Sequence, residues 1–224
     1  MPGPIFMEEN NNDTPTPEPG PDYSIPFYVE NITQEDETLT IAGIDSSGGN
    51  NYLEIPIEYS TDSTNWSSLS TTGETPLTKV LHPGERVYLR ATTDVWYEYQ
   101  EGTDEHGEID HGCTIFDVSK VGGNIMSLLY GSSFTGNETA FPSGSVENFY
   151  ELFVGLKGNS KLISASELIL PATTLAEACY NEMFLTCTSL TTTPVLPATT
   201  LAAGCYGKMF SGCTSLTTAP ELPA

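Results

Sequence analysis

The sequence predicts a mainly β chain with short helices, in which an N-terminal β-sandwich is followed by an α/β repeat solenoid. Three observations predict it. Hydrophobic residues make up 38% of the 224 residues and charged residues only 17%, with Thr, Ser, Gly, Pro and Asn filling the gap. That balance favours strands, turns and repeats over long helices. Short alternating apolar segments, separated by turn clusters, run from residue 23 to about residue 100. A self-similar period of 26 residues then occupies the C-terminal part.

The period is the strongest signal. Residues 171–196 read PATTLAEACYNEMFLTCTSLTTTPVL, and residues 197–222 read PATTLAAGCYGKMFSGCTSLTTAPEL, with 18 identities. Leu175, Cys179 and Met183 recur at i, i+4 and i+8, beside a second row of Ala176, Tyr180 and Phe184. This spacing predicts one apolar face of a short helix in each copy. Thr174 and Glu177 fit a capping box for it. Leu201, Cys205, Met209 and Phe210 repeat the pattern, and Leu190, Leu196 and Leu216 are expected to point inward from an extended segment. The predicted helical positions that differ (Glu177/Ala203, Ala178/Gly204, Asn181/Gly207, Glu182/Lys208) fall off the apolar face and are expected on the outside. A unit this small cannot bury its own core, whereas stacking on a neighbour can. Residues 145–170 read as a divergent first repeat that caps the stack. Ser145 is placed at the start of a helix carrying Val146, Phe149, Tyr150, Leu152, Phe153 and Leu156, followed by Leu162, Leu168 and Leu170 on a strand. Ala224 stands at the phase of Ala172 and Ala198. The expectation is that further repeats follow, or that a partner covers this end.

The segment Met-Phe-x-x-Cys-Thr-Ser-Leu within each copy resembles the Phe-x-x-Cys-x-x-Leu signature of the BspA-like branch of the leucine-rich-repeat superfamily. The resemblance covers residues 145–224. It implies a right-handed leucine-rich-repeat solenoid used in surface adhesion, of a kind found in gut bacteria and in structural proteins of their phages. The variant Leu-Pro-Ala-Thr-Thr-Leu-Ala also resembles repeats of phage fibre-like proteins.

Residues 1–22 form an acidic, Pro-rich arm of extended character. It reads either as a linker or as an anchoring arm with Ile5, Phe6 and Met7 as the docking peg. Residues 23–104 supply candidate strands at 25–29, 38–41, 53–59, 66–69, 86–92 and 95–99, a spacing that suits a small sandwich. The stretch from Glu58 to Trp66, with Val87 to Arg90, resembles immunoglobulin-like modules appended to bacterial and phage surface proteins. No Cys pair of the immunoglobulin type is present, so apolar packing must hold the sheets. Residues 105–144 are read as a connecting region. Within it, a strand is expected at 114–118, and Asn124 is expected to cap a short helix with Ile125, Met126, Leu128 and Leu129, packed on the capped end of the repeats.

Formal net charge is −23. Such a surface repels phosphate backbones, which argues against nucleic acid, and disfavours anionic membranes. No apolar run is long enough to span a bilayer. The first residues lack a basic n-region, an apolar h-region and a lipidatable Cys, so no secretion signal is expected. His106, Glu108, Asp110 and His111 crowd one loop, which is either solvated or a divalent-cation site, although it lacks EF-hand and helical His spacing. No other cofactor is implied. The repeat cysteines read as small core thiols or as a redox or metal array. Trp96 reads as a core residue or a sugar-stacking ring. Thr191, Thr192, Thr193, Thr217 and Thr218 read as a turn-rich rim or a polar ligand surface. Ser60-x-Asp62 with Trp66 faintly echoes a sialidase hairpin but lacks the expected glycine. With no phosphate loop, nucleophile elbow or triad legible, no enzymatic activity is expected. The expectation is instead a structural and adhesion protein on a phage virion, homo-oligomeric or bound to other virion subunits. Its target would be a host-surface glycan or protein. The alternative is a bacterial cell-surface adhesin, and a more remote one is a glycan-active enzyme.

Overall fold

A computed structural model describes residues 20–43, 57–69, 77–92, 113–142, 149–153 and 161–223. Among the described residues the chain is mainly β, with mixed sheets and one short helix. Its elements are β1 (Tyr28–Glu30), β2 (Glu37–Gly43), β3 (Ile57–Ser60), β4 (Ser67–Leu69), β5 (Leu77–Leu81), β6 (Arg86–Ala91), β7 (Cys113–Phe116), β8 (Lys120–Asn124), α1 (Ser127–Tyr130, continued by a 3₁₀ turn at Gly131–Ser133) and β9 (Ser164–Ile169).

Two sheets result, one in the order β4-β3-β6-β1-β8-β9 and one in the order β5-β2-β7. All pairings are antiparallel except β8 with β9. Alternation decides which side chains face inward. In β6, Val87, Leu89 and Ala91 are fully buried, while Arg86, Tyr88 and Arg90 between them are half-buried. This is the period-two pattern of a strand with one face on the core. Ile57 and Val29 join them from the larger sheet, and Leu39, Ile41, Leu81 and Ile115 face them from the smaller one.

Five of the six expected strands hold with altered bounds, as β1, β2, β3, β4 and β6, and the sixth, at 95–99, lies outside the described residues. β5 is hidden from the alternation signal because Val80, its fourth residue, is apolar yet exposed. The segment expected to be a connector supplies a strand to each sheet, since β7 pairs with β2 and β8 with β1. The β9 strand of the divergent first repeat then pairs with β8. One hydrophobic core therefore runs from the sheets into the repeats without a break. α1 packs against β6, and Ile125 just before it donates its N–H to the Ile169 carbonyl of the first repeat at 3.2 Å. The buried Ser127 hydroxyl of α1 accepts the Phe27 N–H at 3.0 Å and donates to the Leu89 carbonyl at 3.0 Å. Asn124 Oδ1 accepts the Met126 N–H at 3.0 Å, but Met126 is the N-cap of α1 and no side chain caps it, so Asn124 braces the turn before the helix and is not its cap.

A charged network ties the outer face of the larger sheet to the first repeat. Arg86 binds Glu30 at 2.7 Å and lies 3.8 Å from the Tyr28 ring centroid. Lys120 bridges Glu30 at 3.3 Å and Glu167 at 2.6 Å, and the Tyr28 hydroxyl donates to Glu167. The Lys120 and Tyr28 hydrogen bonds hold the Glu167 carboxyl below its usual value. The sign follows: stability from a depressed carboxylate is present above its unfolded pKa and lost as pH falls through the folded one. Unfolding measured from pH 5 to pH 3 is therefore expected to show a steeper loss for the native chain than for Glu167→Gln. The difference should stay below about 1 kcal/mol because Glu167 is half-exposed. Equal slopes would show that the network carries no pH-dependent stability.

Candidate binding surface

The predicted helix of each repeat does not form. From Glu177 to Thr186 the chain is a run of turns, with positive φ at Ala178 (51°), Tyr180 (60°) and Glu182 (54°), then at Thr186 (57°). The second copy does the same at Gly204 (71°), Tyr206 (59°), Lys208 (47°) and Gly212 (77°). Odd-numbered N–H groups close local turns, as in Asn181 to Ala178 O at 3.1 Å and Leu185 to Glu182 O at 2.9 Å. Even-numbered ones leave the rung. Ala178, Glu182, Phe184 and Thr186 donate to Ala203, Gly207, Met209 and Ser211 of the next copy at 2.7–2.9 Å. A helix would spend those donors internally; here they join the copies, which offsets the cost of left-handed backbone at non-glycine residues. Thr174 correspondingly forms a parallel bridge with Thr200 and caps no helix. The divergent first repeat follows the same pattern where it is described. Phe149 and Glu151 have positive φ, and Glu151 and Phe153 donate to Asn181 and Met183 at 3.1 and 2.9 Å. The start of its predicted helix, with Ser145 and Val146, and Leu156 lie outside the described residues.

Side chains register accordingly. Phe149, Tyr180 and Tyr206 form one aromatic column with centroid spacings of 5.8 and 5.7 Å. Phe27, Phe153, Phe184 and Phe210 form another, at 5.9, 5.2 and 5.3 Å. Cys187 and Cys213 donate their thiols to the Phe153 and Phe184 carbonyls at 2.9 and 3.0 Å, one rung back in each case. Burial pushes the Cys179 thiol up to about 12 and raises that of Cys213. These are neutral packing thiols rather than reactive ones. Among the described residues no group of three His, Cys, Asp or Glu is placed to hold a metal.

The predicted core holds for Leu175, Cys179, Met183, Phe184, Leu190 and Met209, all buried. Cys205, Phe210 and Leu216 are only half-buried, and Leu201 is 54% exposed, because no rung covers the far side of the second copy. The expectation that differing positions lie outside also fails at one pair. Glu182 is buried, and its carboxylate takes the Lys208 ammonium at 2.7 Å, so the change between copies is a matched ion pair across the rungs. The Tyr180 hydroxyl is fully buried and bonds to nothing among the described residues. Tyr180→Phe is therefore expected to stabilise the chain by about 1 kcal/mol, since an unpaired buried hydroxyl carries only its desolvation cost. Chemical denaturation checks this, and a loss of stability would mean that the hydroxyl is satisfied.

The polar rows face solvent. Thr191, Thr192, Thr217 and Thr218 are exposed and Thr193 is half-exposed. Thr192 Oγ1 donates to Ser164 Oγ at 2.8 Å and Thr191 Oγ1 to the Ile163 carbonyl at 3.0 Å, which orders the hydroxyls at strand spacing. A second exposed row, Thr173 and Thr174 beside Thr199 and Thr200, is one that sequence reasoning missed. The doubled Thr in each Pro-Ala-Thr-Thr is its available signal. Two uncharged hydroxyl rows repeated at rung spacing can exchange hydrogen bonds with a neutral polyhydroxylated ligand. Asp62 accepts bonds from the Thr64 and Asn65 N–H groups, the Asn65 amide and the Ser60 hydroxyl at 2.7–2.9 Å. These hold its carboxyl well below the usual range and organise the β3–β4 turn. Trp66 packs beneath Arg90, whose guanidinium lies 4.2 Å from its ring centroid. His106, Glu108, Asp110, His111, Trp96, Ile5, Phe6 and Met7 lie outside the described residues. No helix among the described residues is long and apolar enough to cross a membrane. No family model matches this chain, and no curated protein or solved structure matches it.

Proposed function

We propose that this chain is a structural adhesion protein of a bacteriophage virion, of head-fibre, tail-fibre or decoration type. In this proposal an immunoglobulin-like β-sandwich forms the base, anchored through the N-terminal part. A leucine-rich-repeat solenoid of the BspA-like class projects from it to bind a host-surface glycan or protein. The observation that carries the proposal is the unbroken core and the β8–β9 pairing. A continuous core between base and repeats suits a protein that must transmit contact force and not close around a substrate. The exposed Thr rows supply a ligand face, and the resemblance of the repeats supplies the biological setting.

The test is quantitative mass spectrometry of purified particles, paired with binding of the recombinant chain to host cells. A fixed copy number per particle, together with binding weakened by Thr192→Val and Thr218→Val, is the expected result. Absence from particles would sink the virion assignment. Recovery from a bacterial surface fraction instead would support the second reading, a BspA-like cell-surface adhesin, which the repeat signature favours equally.

A further inference from the structure

The outer face of the larger sheet carries side chains that its position does not call for. Outward positions of a sheet with one buried face are ordinarily plain polar residues. Here Tyr28 stands opposite Tyr88, and Tyr88 opposite Ser60. Carrying the β3–β4 register one residue further sets Trp66 opposite Ser60. Three aromatic rings therefore share one row across four strands. Two guanidiniums stack on that row, Arg90 at 4.2 Å from the Trp66 ring centroid and Arg86 at 3.8 Å from that of Tyr28. Trp, Tyr and Arg are the residue types that anchor interfaces, and these are fixed in advance. Glu58 takes the Arg90 Nε–H at 2.7 Å, Glu30 takes Arg86 at 2.7 Å, and the Tyr28 and Tyr88 rings meet edge-on at 5.9 Å. Trp66, Tyr88 and Arg90 stay half-exposed, and the Nη edge of Arg90 meets no acceptor among the described residues.

Charge and reach select the occupant. The chain carries a net charge of −23 and only seven Lys and Arg, of which Arg86, Arg90 and Lys120 lie on this face, balanced by Glu30, Glu58 and Glu167. An acidic strand is repelled by the molecule as a whole but meets no net charge here. Residues 8–19 have that chemistry. They contain Glu8, Glu9, Asp13 and Glu18, no Lys or Arg, and Pro15, Pro17 and Pro19, the composition that aromatic-lined surfaces recognise. Their point of attachment is near. The Tyr23 carbonyl accepts the Asn124 amide at 3.0 Å, which holds this part of the chain at the end of β8. From β8 through β1, β6 and β3 to β4 is four strand spacings, about 19 Å. Six residues cover that distance at about 3.1 Å each in a polyproline helix. We infer that residues 14–19 of the same chain dock across this face, prolines against Trp66 and Tyr88 and the Glu18 carboxylate on the Nη edge of Arg90. The short tether favours this segment over that of a second copy, because it holds it at a high effective concentration.

The test uses the full chain and a fluorescein-labelled peptide of residues 12–20. An arm variant carries Pro15→Ser, Pro17→Ser, Pro19→Ser and Glu18→Lys, which leaves the face open. By fluorescence anisotropy it is expected to bind the peptide at least about tenfold more tightly than the native chain, whose face is already taken. Hydroxyl-radical footprinting should show Trp66 and Tyr88 oxidised faster in the arm variant, with the exposed Leu201 of the repeats unchanged. Adding Arg90→Ala to the arm variant should abolish peptide binding. If that chain does not fold, a peptide carrying Glu18→Lys makes the same test on an intact face and should bind at least about tenfold more weakly. Equal peptide binding by the native chain and the arm variant, or none by either, overturns the inference. So does protection of Trp66 in the native chain that fades on dilution, since the arm of a second copy then covers the face.

Discussion

Phe184→Ala is expected to cost about 3–5 kcal/mol, the range for removing a fully buried aromatic ring and leaving a cavity. The ring is completely buried and is stacked between Phe153 at 5.2 Å and Phe210 at 5.3 Å, near parallel to the latter at 5°. Its neighbours cannot close the gap, because inter-rung hydrogen bonds at 2.9 Å, from Phe153 N–H to Met183 O and from Phe184 N–H to Met209 O, fix the rung spacing on both sides. The column continues through Phe153 to Phe27 in the sheets. The loss should therefore appear in a single cooperative unfolding transition shared by sheets and repeats. Phe210→Ala is the matched control: the same ring sits half-buried at the open face and should cost about half as much, in proportion to the area it removes from water. Denaturant titration read by near-ultraviolet circular dichroism tests both. Two separate transitions, or equal losses for the two variants, would contradict the shared core.

The second large effect is expected at Gly123. Its φ is +72°, and a Cβ there would stand 2.1 Å from the Pro26 carbonyl oxygen and 3.0 Å from the Tyr28 ring. A flexible side chain can move aside, but this carbonyl belongs to backbone fixed by the parallel bridge from Pro26 to Asn124 and by the Asn124 N–H to Ile25 O bond at 2.8 Å. Gly123→Ala must push β1 and β8 apart, at the strand pair that carries β9 and the repeats. A loss of about 3 kcal/mol or more is expected, from left-handed backbone strain together with overpacking. Gly84 separates the two causes. Its φ is +78° with nothing within 4 Å of a Cβ, so Gly84→Ala should show the backbone cost alone, about 1–2 kcal/mol. If both variants lose the same amount, the close approach of Pro26 to β8 is not a feature of the folded protein.

How much of the fold is legible in the sequence differs between its parts. The period, the inward Leu positions and the buried thiols are legible because identity between copies marks the residues that stacking constrains. The helix is a misreading because alternate turns also bring Leu175, Cys179 and Met183 to one side, so a spacing of four does not distinguish the two conformations. Gly204, Gly207 and Gly212 are the contrary signal: glycines are costly within a helix, and two of them hold positive φ here. The Glu182–Lys208 pair is unreadable as a contact because its partners are 26 positions apart and look like ordinary surface variation.

By itself the sequence determined that this chain is mainly β, that its core is apolar and uncrosslinked by an immunoglobulin-type Cys pair, and that its C-terminal part is made of units that need neighbours. Tertiary structure alone decided that residues 113–124 complete both sheets, that β9 joins the larger one, and that Ala178, Glu182, Phe184 and Thr186 donate to the second copy while Tyr206, Thr199 and Thr200 donate back to the first. The physical reason is that apolar periodicity records what is buried. The partner of a backbone N–H is chosen by whichever carbonyl the assembled fold brings within reach, and that choice leaves one face of the stack covered and the other open.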